Sequence, residues 1–123
     1  MSNEKVSVII PTYKRAELLS KCIMSVLEQT YTNVEVIVVD DNDPDTKWRH
    51  NTETILERFK EDGRVIYIKH EKNKNGTAAR NTGLKASTGK YICFLDDDDI
   101  FFKEKISKQI ECLEAFTDMK ACC

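Results

Sequence analysis

Four short apolar runs, each halted by polar or acidic residues and spaced by helix-length amphipathic segments, leave this chain few folds to choose from. The runs are Val6 to Ile10, ended by Pro11; Val34 to Val39, ended by Asp40; Val65 to Ile68; and Tyr91 to Leu95, ended by Asp96. Their β-branched content reads as strands, and apolar residues on both faces read as strands covered from both sides. Between them lie segments with helical spacing. Leu18, Leu19, Cys22, Ile23, Val26 and Leu27 share one face; a polar helix over about Thr46 to Glu61 turns Ile55, Leu56 and Phe59 inward, with Gly63 past its end. A third helix runs from about Thr77 to Ala86, and a fourth from about Lys103 to Phe116 with Ile106, Ile110, Leu113 and Phe116 inward. Strands alternating with helices imply right-handed crossovers. The fold class is α/β: a Rossmann-like, mostly parallel sheet with helices on both faces, in one domain over residues 1–123, since this length holds one core.

Charge narrows the function. With 19 basic and 21 acidic side chains the net charge is −2, which argues against a nucleic-acid binder. No stretch approaches the roughly 20 apolar residues that cross a bilayer, and Met1 to Lys5 carries no secretory signal. A cytoplasmic catalytic face follows, with membrane association left to other parts of a longer parent chain. The five cysteines form no C-x-x-C pair. Cys22 and Cys112 fall on apolar helix faces and Cys93 in a strand, so buried reduced thiols are expected rather than a zinc site. No function attaches to the terminal Cys122-Cys123 pair.

In open parallel sheets, ligands bind at the carboxyl ends of the strands. Those ends carry Pro11-Thr12-Tyr13-Lys14-Arg15, Asp40-Asp41-Asn42-Asp43 and Asp96-Asp97-Asp98-Asp99. Adjacent carboxylates repel by a few tenths to about 1 kcal/mol per close pair in water-like surroundings. A solvated loop tolerates that. A run pinned directly after buried Phe94-Leu95 points instead to a divalent cation held by oxygen ligands and shared with a diphosphate. The other acidic cluster is not an EF-hand: counted from Asp41, the sixth and twelfth positions are Thr46 and Thr52, not Gly and Glu. Asp41 at a strand end can accept a hydrogen bond from an imide N–H, or cap the following turn. Tyr13 can lie against a base, or merely pack. Arg80 and Lys74 can answer phosphate charge, although lone basic residues on helices are often just solvated.

Taken together, Val6 to Arg15, Ser25 to Tyr31, Val38 to Asp41, Asn75 to Leu84 and Gly89 to Asp99 resemble the family-2 glycosyltransferases. The resemblance covers nearly the whole chain, with five segments in order, and implies the donor-binding half of a glycosyltransferase-A fold. It makes the acidic run a D-x-D motif with Asp96 and Asp98 as its carboxylates. Asp98 would bind Mn²⁺ or Mg²⁺ directly with Asp96 assisting, and Asp96 or Asp97 would lie near ribose and diphosphate. Pro11, Thr12, Tyr13 and Asp41 would form the base and ribose pocket, with Arg80 on the phosphate side. The implied reaction transfers a sugar from a nucleotide diphosphate, UDP favoured, to a hydroxyl of a glycan or lipid-linked acceptor, with inversion, as in cell-surface polysaccharide synthesis.

Two departures qualify this. Asn42-Asp43-Pro44-Asp45 stands where the family has a Gly- or Ser-containing turn. The family's catalytic domain is also about twice as long, so the acceptor pocket and general base are expected beyond residue 123, and no catalytic residue is assigned here. A sheet ending after four strands is then expected to leave an edge and an apolar helix face uncovered and to self-associate, as a symmetric dimer. A nucleotidyltransferase would carry a Gly-rich basic loop after the first strand, and a receiver domain an acid pair there; neither is present. The remaining alternative is a non-catalytic nucleotide-binding module of the same fold.

Overall fold

The computed structural model describes the backbone of residues 4–115 and 121–122 and the side chains of residues 4–112. Its elements alternate as β1 (Val6–Thr12), α1 (Leu19–Leu27), β2 (Val34–Asp40), α2 (Lys47–Glu57), β3 (Val65–Lys69), α3 (Gly76–Ala86), β4 (Tyr91–Phe94), α4 (Lys105–Ala115) and β5 (Ala121–Cys122). The sheet order is β3-β2-β1-β4-β5, with every neighbouring pair parallel. The chain moves outward from β1 to β3, then returns to lay β4 on the other side of β1. The carboxyl ends of β1 and β4 therefore flank the point where strand order reverses, which is where open α/β sheets form a crevice.

Alternation along the strands divides the core. Val6, Val8 and Ile10, with Val36 and Val38, pack against Leu19, Cys22, Ile23 and Val26 of α1, Leu56 of α2, and Ile106 and Ile110 of α4. The opposite face is smaller: Ile9, Ile37 and Val39 meet Ala79 of α3. That helix lies so close that a Cβ at Gly83 would stand 2.4 Å from Cγ2 of Ile9, so glycine in mid-helix is a packing requirement that outweighs its helix penalty of about 1 kcal/mol.

Several expectations shift. Strand β1 does not stop at Pro11 but pairs on to Thr12. Even-numbered residues of β1 bond toward β2, and odd ones toward β4, where Leu95 N–H donates to Ile9 O at 3.0 Å. The donor that Pro11 lacks thus points past the last paired residue, Phe94, and costs no ladder bond. Helix α2 is shorter than expected, with Thr46 outside it as N-cap: its Oγ1 accepts from Arg49 N–H at 3.2 Å. Leu18 precedes α1 and is exposed, while Leu27 and Ile55 pack at the edge of the core. The two-residue β5 was not anticipated. Of the inward positions expected on α4, Ile106 and Ile110 are buried, whereas the Leu113 side chain and Phe116 lie outside the described residues.

The cysteines divide as well. Cys22 is buried and free, as expected, but Cys112 is exposed. Cys93, expected as a reduced thiol, is disulfide-bonded. Among the described residues no helix is long and apolar enough to cross a membrane.

Candidate functional site

At the end of β1 the chain turns sharply. Lys14 adopts φ 55°, and its N–H donates to Asn42 Oδ1 at 2.7 Å, so the first residue of the unusual Asn42-Asp43-Pro44-Asp45 turn fixes how Tyr13 leaves the sheet. Tyr13 is left about two-fifths exposed.

The end of β4 sorts the acidic run by direction. Asp97 turns inward and is buried, while Asp96, Asp98 and Asp99 face solvent. Asp97 Oδ2 lies 2.9 Å from Thr12 Oγ1, and its Oδ1 lies 3.1 Å from Arg15 Nη2, which ties the two strand ends together. Burial pushes the Asp97 carboxyl above its ordinary range; Thr12 and Arg15 pull the other way, and Asp98 adds to the rise. The three outward carboxylates each offer an oxygen within 4.8 Å of the others. Two oxygens on one ion at about 2.1 Å stand about 3 Å apart when adjacent and about 4.2 Å when opposite, so small side-chain shifts would bring the trio onto a shared hard divalent cation. Arg15 Nη1 reaches Asp98 Oδ2 at 3.1 Å. Beneath the run, Cys22 Sγ donates to Asp96 O at 3.3 Å. Burial, then the four aspartates, push that thiol up to about 12, so it remains a protonated donor and not a thiolate ligand.

At the end of β2 the paired aspartates part company. Asp40 is fully buried against Arg49 Nε at 3.1 Å, with the Tyr67 hydroxyl and Asn42 N–H also donating to it. Burial and Asp40 hold the Tyr67 phenol far above its ordinary range, so it stays a donor. Asp40 thereby fastens β2 to α2 and β3. Asp41, also buried, lines the site, and four donors meet its carboxylate: His70 Nδ1 at 2.7 Å, Lys74 N–H at 2.8 Å, Asn73 Nδ2 at 2.9 Å and Asn75 N–H at 3.0 Å. The imidazole is itself fixed by Thr82 Oγ1 at 2.8 Å from Nε2. Asp41 thus organises the loop that leads into α3. Asn75 ends that loop at φ 114°, and its Oδ1 caps Ala78 N–H at 2.9 Å. The positive end of α3 therefore opens onto the same edge.

These ends enclose a cavity of about 550 Å³. Pro11, Thr12, Tyr13, Asp41, Arg80, Asp96 and Asp97, all seven residues expected around a nucleotide, line it. Arg15, Asn73, Asn75, Gly76 and Ala79 complete the wall. Asp98 is not in that wall; it joins Asp96 and Asp99 in the carboxylate trio, which shares Asp96 with the cavity. Lys74 contributes its backbone N–H to Asp41 and does not line the cavity. Arg15, Asp99, Asn73 and Asn75 join the site without an assigned role in the sequence. Arg15 and Asp99 adjoin assigned residues, and Asn75-Gly76 carries the signature of a helix start.

The family model described as glycosyl transferase family 2 matches residues 7–122. The chain is 40% identical over 111 residues to the Escherichia coli UDP-Glc:alpha-D-GlcNAc-diphosphoundecaprenol beta-1,3-glucosyltransferase WfaP, covering 90% of this chain and 42% of that one. Staphylococcus aureus TarS 1–349 in complex with UDP-GlcNAc superposes with a TM-score of 0.79 at 28% identity, over 92% of this chain and 32% of TarS 1–349. The Pyrobaculum calidifontis mannosyltransferase PcManGT, in complex with GDP-Man and Mn²⁺, gives 0.77 at 25% identity, over 88% and 32%. The chain spans between 13% and 43% of the length of eight curated relatives it matches.

Proposed function

The chain belongs to glycosyl transferase family 2, and from that premise we propose that it forms the donor-binding part of a metal-dependent transferase that moves a sugar from a nucleoside diphosphate, UDP favoured, to an acceptor hydroxyl with inversion. The observation that carries this reading is the contact between the cavity and the carboxylate trio through Asp96. A volume of about 550 Å³ suits a nucleotide-sized ligand. A diphosphate approaching so many aspartates needs positive charge, which the Asp96-Asp98-Asp99 group would supply by holding Mn²⁺ or Mg²⁺, with Arg80 and the start of α3 on the other side. The metal would offset charge on the departing diphosphate. Tyr13 would lie against the base and Pro11 and Thr12 along the ribose, while Asp41 shapes the pocket through its loop. In the transfer, the acceptor oxygen bonds to the anomeric carbon, the bond from that carbon to the diphosphate oxygen breaks with its electron pair, and a carboxylate base takes the acceptor proton. No residue described here is assigned as that base.

UDP is favoured over GDP by the relation to TarS and WfaP, whose ligand and donor are uridine-based, although PcManGT holds GDP-Man. A lipid-linked or glycan acceptor is supported by the relation to WfaP, whose acceptor is a diphosphoundecaprenol-linked GlcNAc. Self-association as a dimer is supported by Phe102, 88% exposed, and Ile100, 55% exposed.

Calorimetry with UDP, CDP and GDP, with and without Mn²⁺, tests the donor. UDP should bind tightest, and only with metal present. Asp98→Asn keeps the shape and removes a charge, so it should weaken metal-supported UDP binding about tenfold while sparing uridine. Undiminished metal-dependent affinity in that variant would remove the metal assignment.

A further inference from the structure

Among the described residues, Arg15 is the only cationic side chain ion-paired with the acidic run, and it divides itself between two unlike carboxylates. Its Nη2 lies 3.1 Å from Oδ1 of Asp97, whose side chain is 2% exposed and already held by Thr12. Its Nη1 lies 3.1 Å from Oδ2 of Asp98, whose side chain is 45% exposed. The one Thr12 hydroxyl proton is shared between Asp97 Oδ2 and the Arg15 carbonyl oxygen, each 2.9 Å away, while the Arg15 side chain is 58% exposed. The Asp97 contact is an ion pair onto a buried oxygen that no hydrogen bond satisfies, which holds the guanidinium by charge, and the Asp98 contact is a solvent-facing hydrogen bond that a phosphate can replace. Arg15 also lines the cavity where a diphosphate would lie.

We propose that Arg15 is a tethered counterion that couples metal binding to diphosphate binding, making it a positioning residue for the donor site. The proposal rests on Asp98 as a metal ligand. Without nucleotide, the guanidinium neutralises Asp98 and stands within a few ångströms of any cation placed there, so it opposes the metal. A diphosphate entering the cavity offers the guanidinium oxygens of its own. Arg15 then leaves Asp98 free while its charge answers a phosphate, a task suited to a planar, two-armed donor. By linkage, each ligand raises the affinity for the other by the same factor. The device keeps the site from filling with metal before the donor arrives.

The test is Mn²⁺ titration of the full chain by calorimetry, without and with saturating UDP, in wild type, Arg15→Gln, Arg15→Lys and Asp98→Asn. In Arg15→Gln, Mn²⁺ alone should bind about three- to tenfold tighter, the range for a neighbouring charge at a partly exposed site. The factor by which UDP raises Mn²⁺ affinity should shrink correspondingly. Arg15→Lys keeps the charge and should restore most of the opposition to free metal, which a loss of fold would not do. If Arg15→Gln leaves both Mn²⁺ affinities unchanged, or weakens Mn²⁺ alone, while Asp98→Asn still lowers them, the Arg15 proposal is overturned and the metal site stands. If Asp98→Asn has no effect, the metal site itself is wrong and the proposal falls with it.

Discussion

The four donors around Asp41 come from an imidazole, a carboxamide and two consecutive stretches of backbone, all 29 to 34 residues further along the chain. With two bonds on each oxygen, the carboxylate has little left for a base imide, and a uracil N–H would have to share a lone pair or displace a donor. Asp41→Asn keeps the size but turns one acceptor into a donor facing two donors. Its expected cost is about 2–3 kcal/mol in urea unfolding, as for buried hydrogen bonds to a charged group. The same variant weighs the second role. If Asp41 also reads the base, the preference for UDP over CDP should narrow; an unchanged ratio beside weaker binding of both would leave it a loop organiser only. The position of Asp41 was legible because strand ends in parallel sheets face the ligand edge. Its partners were not, because Asn73 and His70 carry no local pattern that connects them to a residue so far back. The neighbouring Asp40 looks the same in sequence, yet Arg49 and Tyr67 take one of its oxygens and Asn42 the other.

At the level of elements, continuous β-branched apolar runs make β1 to β4 and their succession along the chain visible, whereas the two residues of β5 are too few to stand out. Pro11 reads as a stop, since only the neighbouring strand's length reveals that its missing N–H has no partner to lose. Helix α1 and the residues just past its end show a further hidden task. Gln29 Nε2 donates to Phe102 O at 2.6 Å, its Oε1 accepts from Ile106 N–H at 2.9 Å, and Ser25 Oγ accepts from Phe101 N–H at 3.1 Å. These bonds clamp the loop that follows the acidic run. They also hold Phe102 and Ile100 out in water, where an apolar surface gains by finding another. Phe102→Ser leaves the clamp intact, because the bonds use backbone atoms. Light scattering across a concentration series should show dimer for the wild type and a shift toward monomer for the variant. A wild type that is monomeric at every concentration would refute the expectation.

Across the whole molecule, the two ends of the sheet respond to acid in opposite senses. The carboxyl end holds Asp97, whose carboxyl is raised above its ordinary 3.8, mainly by burial. The amino end holds Glu35, 3% exposed, which joins β1, β2 and the approach to β4: Ser7 Oγ and Thr88 N–H both donate to Oε2, and Lys5 Nζ lies 3.2 Å from Oε1. Burial alone would raise Glu35, but these donors outweigh it and leave the carboxyl below its ordinary 4.5. A lowered carboxyl contributes stability that is present above the unfolded value and lost as pH falls through the folded one. A raised carboxyl does the reverse: its contribution is complete below about 3.8 and is lost as pH rises through its folded value. On acidification from neutral pH, Asp97 therefore gains stability as Glu35 later gives it up. Glu35→Gln should cost about 2 kcal/mol at pH 7, where the donors lose a charged acceptor, and should flatten the loss below pH 4.5. Asp97→Asn should make that acid loss steeper, because the opposing gain is gone. Urea unfolding of the three proteins at steps from pH 7 to pH 3 reads both effects, with the m-value checking that the unfolded reference has not moved. A Glu35→Gln variant with the wild-type slope would show that the acid limb is set elsewhere, and that the amino-end network holds the strands together without governing their response to pH.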